Sequence, residues 1–225
     1  MESAEKTSFI IGNGGSRASF DLMLLKGKGT VFGCNALYRD FAQSAAFLPQ
    51  TDPVMSTQKY ALPDYLVAID DAIVAEIEHS DFPSRRVIIP PEEERWEPIE
   101  LHWGRSDKKD WNPARPRSNA GMNAILEAIK LDYTWLYIFG FDSLVVEERL
   151  ALSNLYDGTD CYGYDTRANL QDTRNRMTFL GWVIEKNPEV HFTFCYPKET
   201  IDSGVYLPQA DNVSVSNFDR LISIL

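Results

Sequence analysis

A glycine-rich turn near the start of the chain has the residue types of an anion-binding site. The turn, residues 12–16 (GNGGS), follows the apolar run Phe9–Ile11, and Ser16 can cap a helix that begins near Ala18. The glycines allow positive φ angles and let a ligand approach the backbone closely. A strand, a glycine turn and a helix N-terminus together present a row of N–H groups that suits phosphate. We therefore expect an anion at this turn.

Polar residues follow several other apolar runs. Asn35 follows the second run, Asp70 the third and Asp142 the fifth. Each has an ordinary explanation as a turn residue or a helix cap. However, the carboxyl ends of parallel strands meet at one edge of a sheet, where ligands bind. A helix start at Ser118-Asn119-Ala120-Gly121 can face that edge too, so the sequence predicts one crevice in which two asparagines read a base or a sugar.

The elements that must position these residues alternate between strands and helices, which favours a mostly parallel sheet covered by helices. We predict a Rossmann-like three-layer α/β/α sandwich with about six or seven strands, formed by a single domain over residues 1–225. Irregular insertions at about 90–117 and 143–169 interrupt it, and a lid is one use of such a segment. The apolar runs predict strands at Phe9–Ile11, just before Asn35, at Tyr65–Ile69, Arg86–Ile89, Thr134–Phe141 and His191–Cys195, and within Asn212–Leu225. Helices are predicted over 36–47, directly after Asp71, over 122–132 and over Leu170–Lys186.

Composition narrows the classes of partner. The net charge is −11 and the sequence pI is about 4.7, so the chain as a whole repels nucleic acid and we expect no binding to duplex nucleic acid. No apolar run approaches the roughly 20 residues that span a bilayer, and the polar start, MESAEKTS, has no signal-peptide pattern. Cys34, Cys161 and Cys195 have no CxxC spacing, which is typical of reduced thiols in a cytoplasmic protein.

Two common phosphate-binding fingerprints are not matched. The dinucleotide motif GxGxxG needs a glycine at the position of Arg17. The GKGT sequence at 27–30 lies too late for a P-loop and departs from its spelling. The glycine turn therefore belongs to neither class.

Two pairs of short blocks resemble a known family. IIGNGGS with GCN one helix later, and SNAGMNAILEAIKL with IFGFD, resemble the bacterial sialyltransferases that use CMP-activated sialic acid. They also resemble the related family that includes 6-hydroxymethylpterin diphosphokinases, and both families have a Rossmann-like fold. The resemblance implies nucleotide contacts from the first turn, the second-strand asparagine and the small-residue helix start. With the residue pattern above, the candidate nucleotide-binding residues are Gly12, Asn13, Gly14, Ser16, Arg17, Asn35, Ser118, Asn119, Ala120 and Gly121.

The resemblance also suggests catalytic residues, although this chain differs from the sialyltransferases at two of the relevant positions. Ala120 stands where the sialyltransferases have a serine, and the position of their catalytic histidine falls near Asp172. Their lid tyrosines, which hold the leaving phosphate, lie in a segment comparable to the one that contains Tyr156, Tyr162 and Tyr164. The candidate catalytic residues are Asp142, Tyr156 and Tyr162.

Three functions remain open at this point. In the first, a transferase acts on a nucleotide-activated sugar: Arg17 or Arg117 adds charge near the phosphate, and Asp142 or Asp172 takes the acceptor proton. The second is a diphosphokinase-like reaction on a pterin or similar substrate. It needs Mg²⁺, for which Asp70, Asp71 and Asp142 are the candidate ligands, and no other cofactor is expected. The third is a non-catalytic homologue that binds a nucleotide, motivated by the missing histidine.

Overall fold

The fold is built on one parallel sheet. The computed structural model describes residues 6–40, 63–80, 82–98, 101, 116–146, 154–163 and 170–225. Within this part of the chain the strands are β1 (Thr7–Ile11), β2 (Thr30–Cys34), β3 (Tyr65–Val67), β4 (Val87–Ile88), β5 (Trp135–Phe139), β6 (His191–Tyr196) and β7 (Val213–Asn217). Their order across the sheet is β4-β3-β2-β1-β5-β6-β7, and every pairing is parallel. The predicted α/β Rossmann-like class, with about seven strands, is confirmed.

Helices cover both faces of the sheet. The helices in the described part of the chain include α1 (Asp71–Glu78), α2 (Ala120–Lys130), α3 (Leu170–Lys186), α4 (Lys198–Ser203) and α5 (Phe218–Ile224). Ile10 packs into the core that contains the buried side chains of α2 and α3. Its neighbours Phe9 and Ile11 pack into the core that contains those of α1 and α5. Consecutive strand residues point to opposite faces, so the unbroken apolar run of β1 serves two cores at once and three layers result.

The strands end where the backbone turns towards a helix or a loop. β3 ends at Val67, two residues before the predicted end, and Asp70 then caps α1 by accepting a hydrogen bond from the Ala72 amide at 3.0 Å. β5 ends at Phe139 because Gly140 has a φ of 67°, a left-handed value that a strand cannot continue. These turns place polar residues at the carboxyl edge.

The connection between β1 and β2 differs from the prediction. In place of an α-helix near Ala18 there is a 3₁₀ turn over Gly15–Ser19 whose N-cap is Gly14, so Ser16 is not the cap. A second 3₁₀ turn, Leu22–Leu25, is capped by Asp21. Ser16 lies inside this turn, and its backbone amide and its hydroxyl both donate to a carboxylate from the end of another strand, described below.

The other irregular segments are described only in part. The predicted 36–47 helix begins with a 3₁₀ turn at Asn35–Leu37, and residues 41–47 lie outside the described part of the chain. The insertion at about 90–117 contains a 3₁₀ turn over Glu92–Arg95 and a bridge between Trp96 and Arg117. None of the helices among the described residues has the length and apolar run that crossing a bilayer requires.

Candidate functional site

The topology defines a crevice between β1 and β5. From β1 the chain proceeds outward through β2, β3 and β4 on one side, and from β5 through β6 and β7 on the other. In open parallel sheets, ligands bind beyond the carboxyl ends of the strands at the point where the strand order reverses. Here that point lies between residues 12–16, which follow β1, and residues 140–142, which follow β5.

The glycines of the first turn serve the close approach of these two strand ends. The Gly12 amide donates to the Phe139 carbonyl at 2.8 Å, and the Gly14 amide donates to the Gly140 carbonyl at 3.0 Å. A Cβ on Gly12 would lie 2.7 Å from the Gly140 oxygen, a distance that real side chains do not tolerate. The amides of Gly12 and Gly14 are therefore used within the fold.

The anion at this turn is the chain's own Asp142. One carboxylate oxygen accepts from the Ser16 amide at 2.9 Å, and the other accepts from the Ser16 hydroxyl. Asp142 is only 8% exposed, and this burial raises its pKa from 3.8 to about 6, while the hydrogen bonds from Ser16 act in the opposite direction. A ligand phosphate at the Ser16 amide would have to displace this carboxylate. The anion position expected at this turn is filled by an internal carboxylate.

Arg17 and Tyr156 lie below the turn in a buried network. The Arg17 Nε donates to the Gly12 carbonyl at 2.7 Å, and one Nη donates to Asp40 at 2.9 Å and to the Tyr156 hydroxyl at 3.1 Å. The Tyr156 hydroxyl in turn donates to Asp40 at 2.8 Å. Burial raises the Tyr156 pKa well above its usual value. Arg17 thus has structural partners in place of the predicted nucleotide phosphate, and Tyr156 in place of the predicted leaving group.

A cavity of about 200 Å³ opens at the carboxyl edge of β1, β2 and β5. Most of the predicted nucleotide-binding residues line it, together with Asp142, whereas Ser16, Arg17 and Ser118 do not. Ser118 is buried, and its amide donates to the Arg95 carbonyl at 2.8 Å. The lining residues are Gly12, Asn13, Gly14, Cys34, Asn35, Asn119, Ala120, Gly121, Gly140, Phe141, Asp142, Ser143 and Asn154.

Asn13 and Asn35, which line this cavity, each have a buried amide oxygen. The Oδ1 atoms of both residues are buried and have no hydrogen-bond partner among the described residues. The Asn13 Nδ2 donates to the Tyr162 hydroxyl at 3.2 Å. Asn35 adopts a left-handed φ of 48°, which asparagine tolerates better than most residues. An unpaired buried acceptor costs about 1–3 kcal/mol, so a ligand N–H or O–H group at these oxygens would be favourable.

The N-terminus of α2 contributes the opposite chemistry. Asn119 caps the helix by accepting from the Met122 amide at 2.8 Å. No acceptor for the backbone amides of Ala120 and Gly121 is found among the described residues. Two unpaired amides at the positive end of an 11-residue helix attract an anion. A Cβ on Gly121 would lie 2.7 Å from the tip of the Phe141 ring, so a larger residue here would have to shift that ring.

A ten-residue segment, residues 154–163, packs on the rim of the cavity and is called the arm below. The Leu155 amide donates to the Asn13 carbonyl at 2.9 Å, and Asn154 forms a bridge with Gly14. Tyr162, near the other end, bonds Asn13 through its hydroxyl. Burial raises the pKa of Tyr162 to about 12, so its hydroxyl is neutral at pH 7 and is able to donate.

The remaining residues that the sequence suggested for metal binding, phosphate binding or catalysis are not among those that line the cavity. Asp70 caps α1, and Asp71 is exposed and pairs with Arg95 at 3.1 Å. Arg117 is exposed beside the start of α2 and donates to the Ile69 carbonyl at 2.7 Å. Tyr164 and the side chain of Asp172 lie outside the described part of the chain.

Sequence reasoning missed five residues of the lining. Gly140, Phe141 and Ser143 flank the predicted Asp142, so the strand-end pattern that selected Asp142 could have included them. Cys34 precedes Asn35 in the same way. Asn154 carries no such signal, because it reaches the cavity only through the position of the arm.

The fold and the site define a doubly wound α/β protein with a small polar crevice at its topological switch point. No family model matches the chain, and neither a curated protein nor a solved structure matches it significantly. Its functional assignment therefore depends on the chemistry of the crevice.

Proposed function

We propose that the chain is a glycosyltransferase-like enzyme that binds a nucleotide-activated sugar in the crevice between β1 and β5. The observation that carries the proposal is that one cavity joins two kinds of unpaired group. Asn13 and Asn35, whose amide oxygens lack a partner among the described residues, line it together with Ala120 and Gly121, whose backbone amides have no acceptor there. A nucleotide has base and ribose donors at one end and a phosphate at the other.

The phosphate belongs at the start of α2 in this proposal. The alternative position, the turn at residues 14–17, already binds the Asp142 carboxylate, and a second anion there would be repelled. At α2 the amides of Ala120 and Gly121 can each donate to a phosphate oxygen, and Arg117 is the nearest arginine in sequence. The ribose hydroxyls or the exocyclic amine of a pyrimidine then donate to Asn13 and Asn35.

Asp142 is the proposed general base. Its pKa of about 6 leaves it mainly ionised at pH 7, yet basic enough to accept a proton, and it lines the cavity. In the transfer step the acceptor hydroxyl oxygen attacks the anomeric carbon of the donor sugar. The bond from that carbon to the phosphate oxygen breaks with its electron pair, and the hydroxyl proton passes to Asp142. The α2 amides stabilise the charge that develops on the departing phosphate.

A magnesium-dependent diphosphokinase is less well supported. Among the described residues, no three histidine, cysteine, aspartate or glutamate side chains come together to hold a metal ion. Asp70 caps a helix, and both Asp142 oxygens accept from Ser16. The described carboxylates therefore form no magnesium site from protein ligands alone, and they give this reaction no specific support. A non-catalytic nucleotide-binding protein would use the same cavity and would differ only in the absence of turnover.

Isothermal titration with CMP, in buffer that contains EDTA, tests the binding proposal. We expect binding by the wild type, and about tenfold weaker binding by Asn35→Gly, which loses one acceptor but tolerates the left-handed φ. Asp132→Gly is the matched control, because Asp132 has a φ of 61° in the turn at the far end of α2. Absence of binding by the wild type, or equal affinities for the wild type and Asn35→Gly, would contradict the proposal.

Turnover separates the enzyme from the non-catalytic alternative. Incubation with CMP-sialic acid should release CMP, and release should fall at least a hundredfold in Asp142→Asn. A donor that binds but is never consumed, with water or with a panel of sugar acceptors, would support the non-catalytic function.

A further inference from the structure

We propose that Arg39 is a positioning residue that holds the arm on the rim of the cavity and thereby sets the affinity of the crevice for its ligand. The inference rests on the proposed function for the identity of that ligand. The position of the arm is a separate matter, which can be measured without any ligand.

Arg39 makes an unusual number of contacts with the arm. One Nη donates to the Thr159 hydroxyl at 2.9 Å, and the other donates to the Asp160 carbonyl at 3.0 Å. The guanidinium carbon also lies 5.9 Å from the centroids of both the Tyr156 ring and the Tyr162 ring. One side chain therefore contacts four of the ten arm residues through hydrogen bonds and cation–π interactions.

Glu76 fixes the guanidinium from the opposite side. The Arg39 Nε donates to one carboxylate oxygen of Glu76 at 2.7 Å, and an Nη donates to the other, so the pair is bidentate. The Tyr38 hydroxyl donates to the same carboxylate. Glu76 belongs to α1, which the buried Ile73 and Ile77 anchor in the core. The Arg39 side chain is 12% exposed and that of Glu76 is 29% exposed, so the ion pair is partly shielded from water and ties the arm to a rigid element.

The arm connects Arg39 to the cavity through its contacts with Asn13. Asn154 lines the cavity, Leu155 bonds the Asn13 backbone, and Tyr162 bonds the Asn13 side chain. The contacts of Arg39 lie between these two attachment points in sequence. Moving the Tyr162 half of the arm would release the Asn13 amide, whose oxygen is one of the two acceptors assigned to the ligand.

The two halves of the arm differ in their anchors. Tyr156 also bonds Arg17 and Asp40, so the first half keeps a buried anchor when Arg39 is removed. Within residues 159–163, Thr159 and Asp160 contact the body of the protein through Arg39. The other contacts are those of Tyr162, whose hydroxyl bonds Asn13, Asn35 and the Ala36 backbone and whose ring packs against the core, and the weak contact of the Cys161 thiol with Glu76 at 3.6 Å. Loss of Arg39 should therefore loosen the second half selectively.

Hydrogen exchange of the protein without ligand tests this selectivity. Arg39→Gln should speed exchange of the Tyr162 amide, which donates to the Thr159 carbonyl, by about tenfold or more, while the β1 and β5 amides are unchanged. Arg39→Lys, which keeps the charge but loses the bidentate geometry, should give an intermediate rate. Lys198→Gln, which breaks the exposed Lys198–Asp202 pair, is the matched control and should leave the arm unchanged.

Titration with CMP gives the second measurement. If Arg39→Gln leaves the arm in position about one tenth of the time, the apparent dissociation constant rises about tenfold. Unchanged arm exchange in Arg39→Gln would overturn the inference, as would faster exchange with unchanged CMP affinity. If the wild type does not bind CMP, the proposed function fails, whereas the exchange result still decides whether Arg39 positions the arm. If Arg39→Gln does not fold, Thr159→Ala removes one of the contacts alone, and unchanged arm exchange in that variant would overturn the inference.

Discussion

Replacing Asp142 with asparagine tests the central electrostatic feature of the site. Asp142 is buried against Ser16, and its pKa is raised from 3.8 to about 6 because burial disfavours the charged form. A shift of about two pKa units corresponds to about 3 kcal/mol between the folded and unfolded states. The asparagine variant has a similar shape at this position but no titration.

The sign of the effect follows from the direction of the shift. Between about pH 4 and pH 6 the folded protein keeps a proton that the unfolded chain releases, so the contribution of Asp142 to stability falls as the pH rises through this window. The free energy of unfolding of the wild type, minus that of Asp142→Asn, should therefore decrease by about 3 kcal/mol from pH 3.5 to pH 7. The other carboxylates titrate in both proteins, so their contributions to the free energy of unfolding cancel in the difference.

Urea denaturation followed by tryptophan fluorescence at a series of pH values measures this difference. Asp202→Asn is the control, because Asp202 is 61% exposed and pairs only with a surface lysine among the described residues. Its difference from the wild type should change by less than about 1 kcal/mol over the same range. A wild-type advantage over Asp142→Asn that grows with pH would refute the assignment of Asp142 as a buried carboxylate with a raised pKa.

Three further outcomes are expected. Gly14→Ala should lower the free energy of unfolding by about 2–3 kcal/mol in urea denaturation, because a Cβ would lie 2.5 Å from the Asp142 carboxyl carbon. Gly181→Ala is the control: no atom lies within 4 Å of its Cβ, so it should not destabilise the protein. A maleimide should label Cys161 in the folded protein and the two buried cysteines only after unfolding, as peptide mass spectrometry can show. Tyr162→Phe should weaken CMP binding about threefold to tenfold in isothermal titration, because Asn13 loses its acceptor; an unchanged affinity would separate Tyr162 from the site.

Local sequence patterns predicted most of the fold and the edge at which the cavity lies. The apolar runs of β1 and β5 have no alternation because both faces of each strand are covered, and this pattern is visible without a structure. Asn119 and Asp70 precede helices, and their capping roles follow from sequence position alone. Such features depend on neighbours within a few residues.

The features that the sequence did not reveal depend on contacts between distant segments. Ser16 and Asp142 are 126 positions apart, and their pairing follows from the adjacency of β1 and β5, which the strand pattern left open. The same adjacency explains why the glycine turn binds an internal carboxylate. The contact between Arg39 and Thr159 spans 120 positions and depends on where the arm packs. Local motifs carry no information about either pair.

The most direct measurement is a crystal structure with CMP bound. We expect phosphate oxygens at about 2.7–3.2 Å from the Ala120 and Gly121 amides, and ligand donors at the Asn13 and Asn35 oxygens. Asp142 should remain bonded to Ser16. A phosphate bound at the Ser16 amide with Asp142 displaced, or a crevice that stays empty at saturating CMP, would contradict the proposed binding mode.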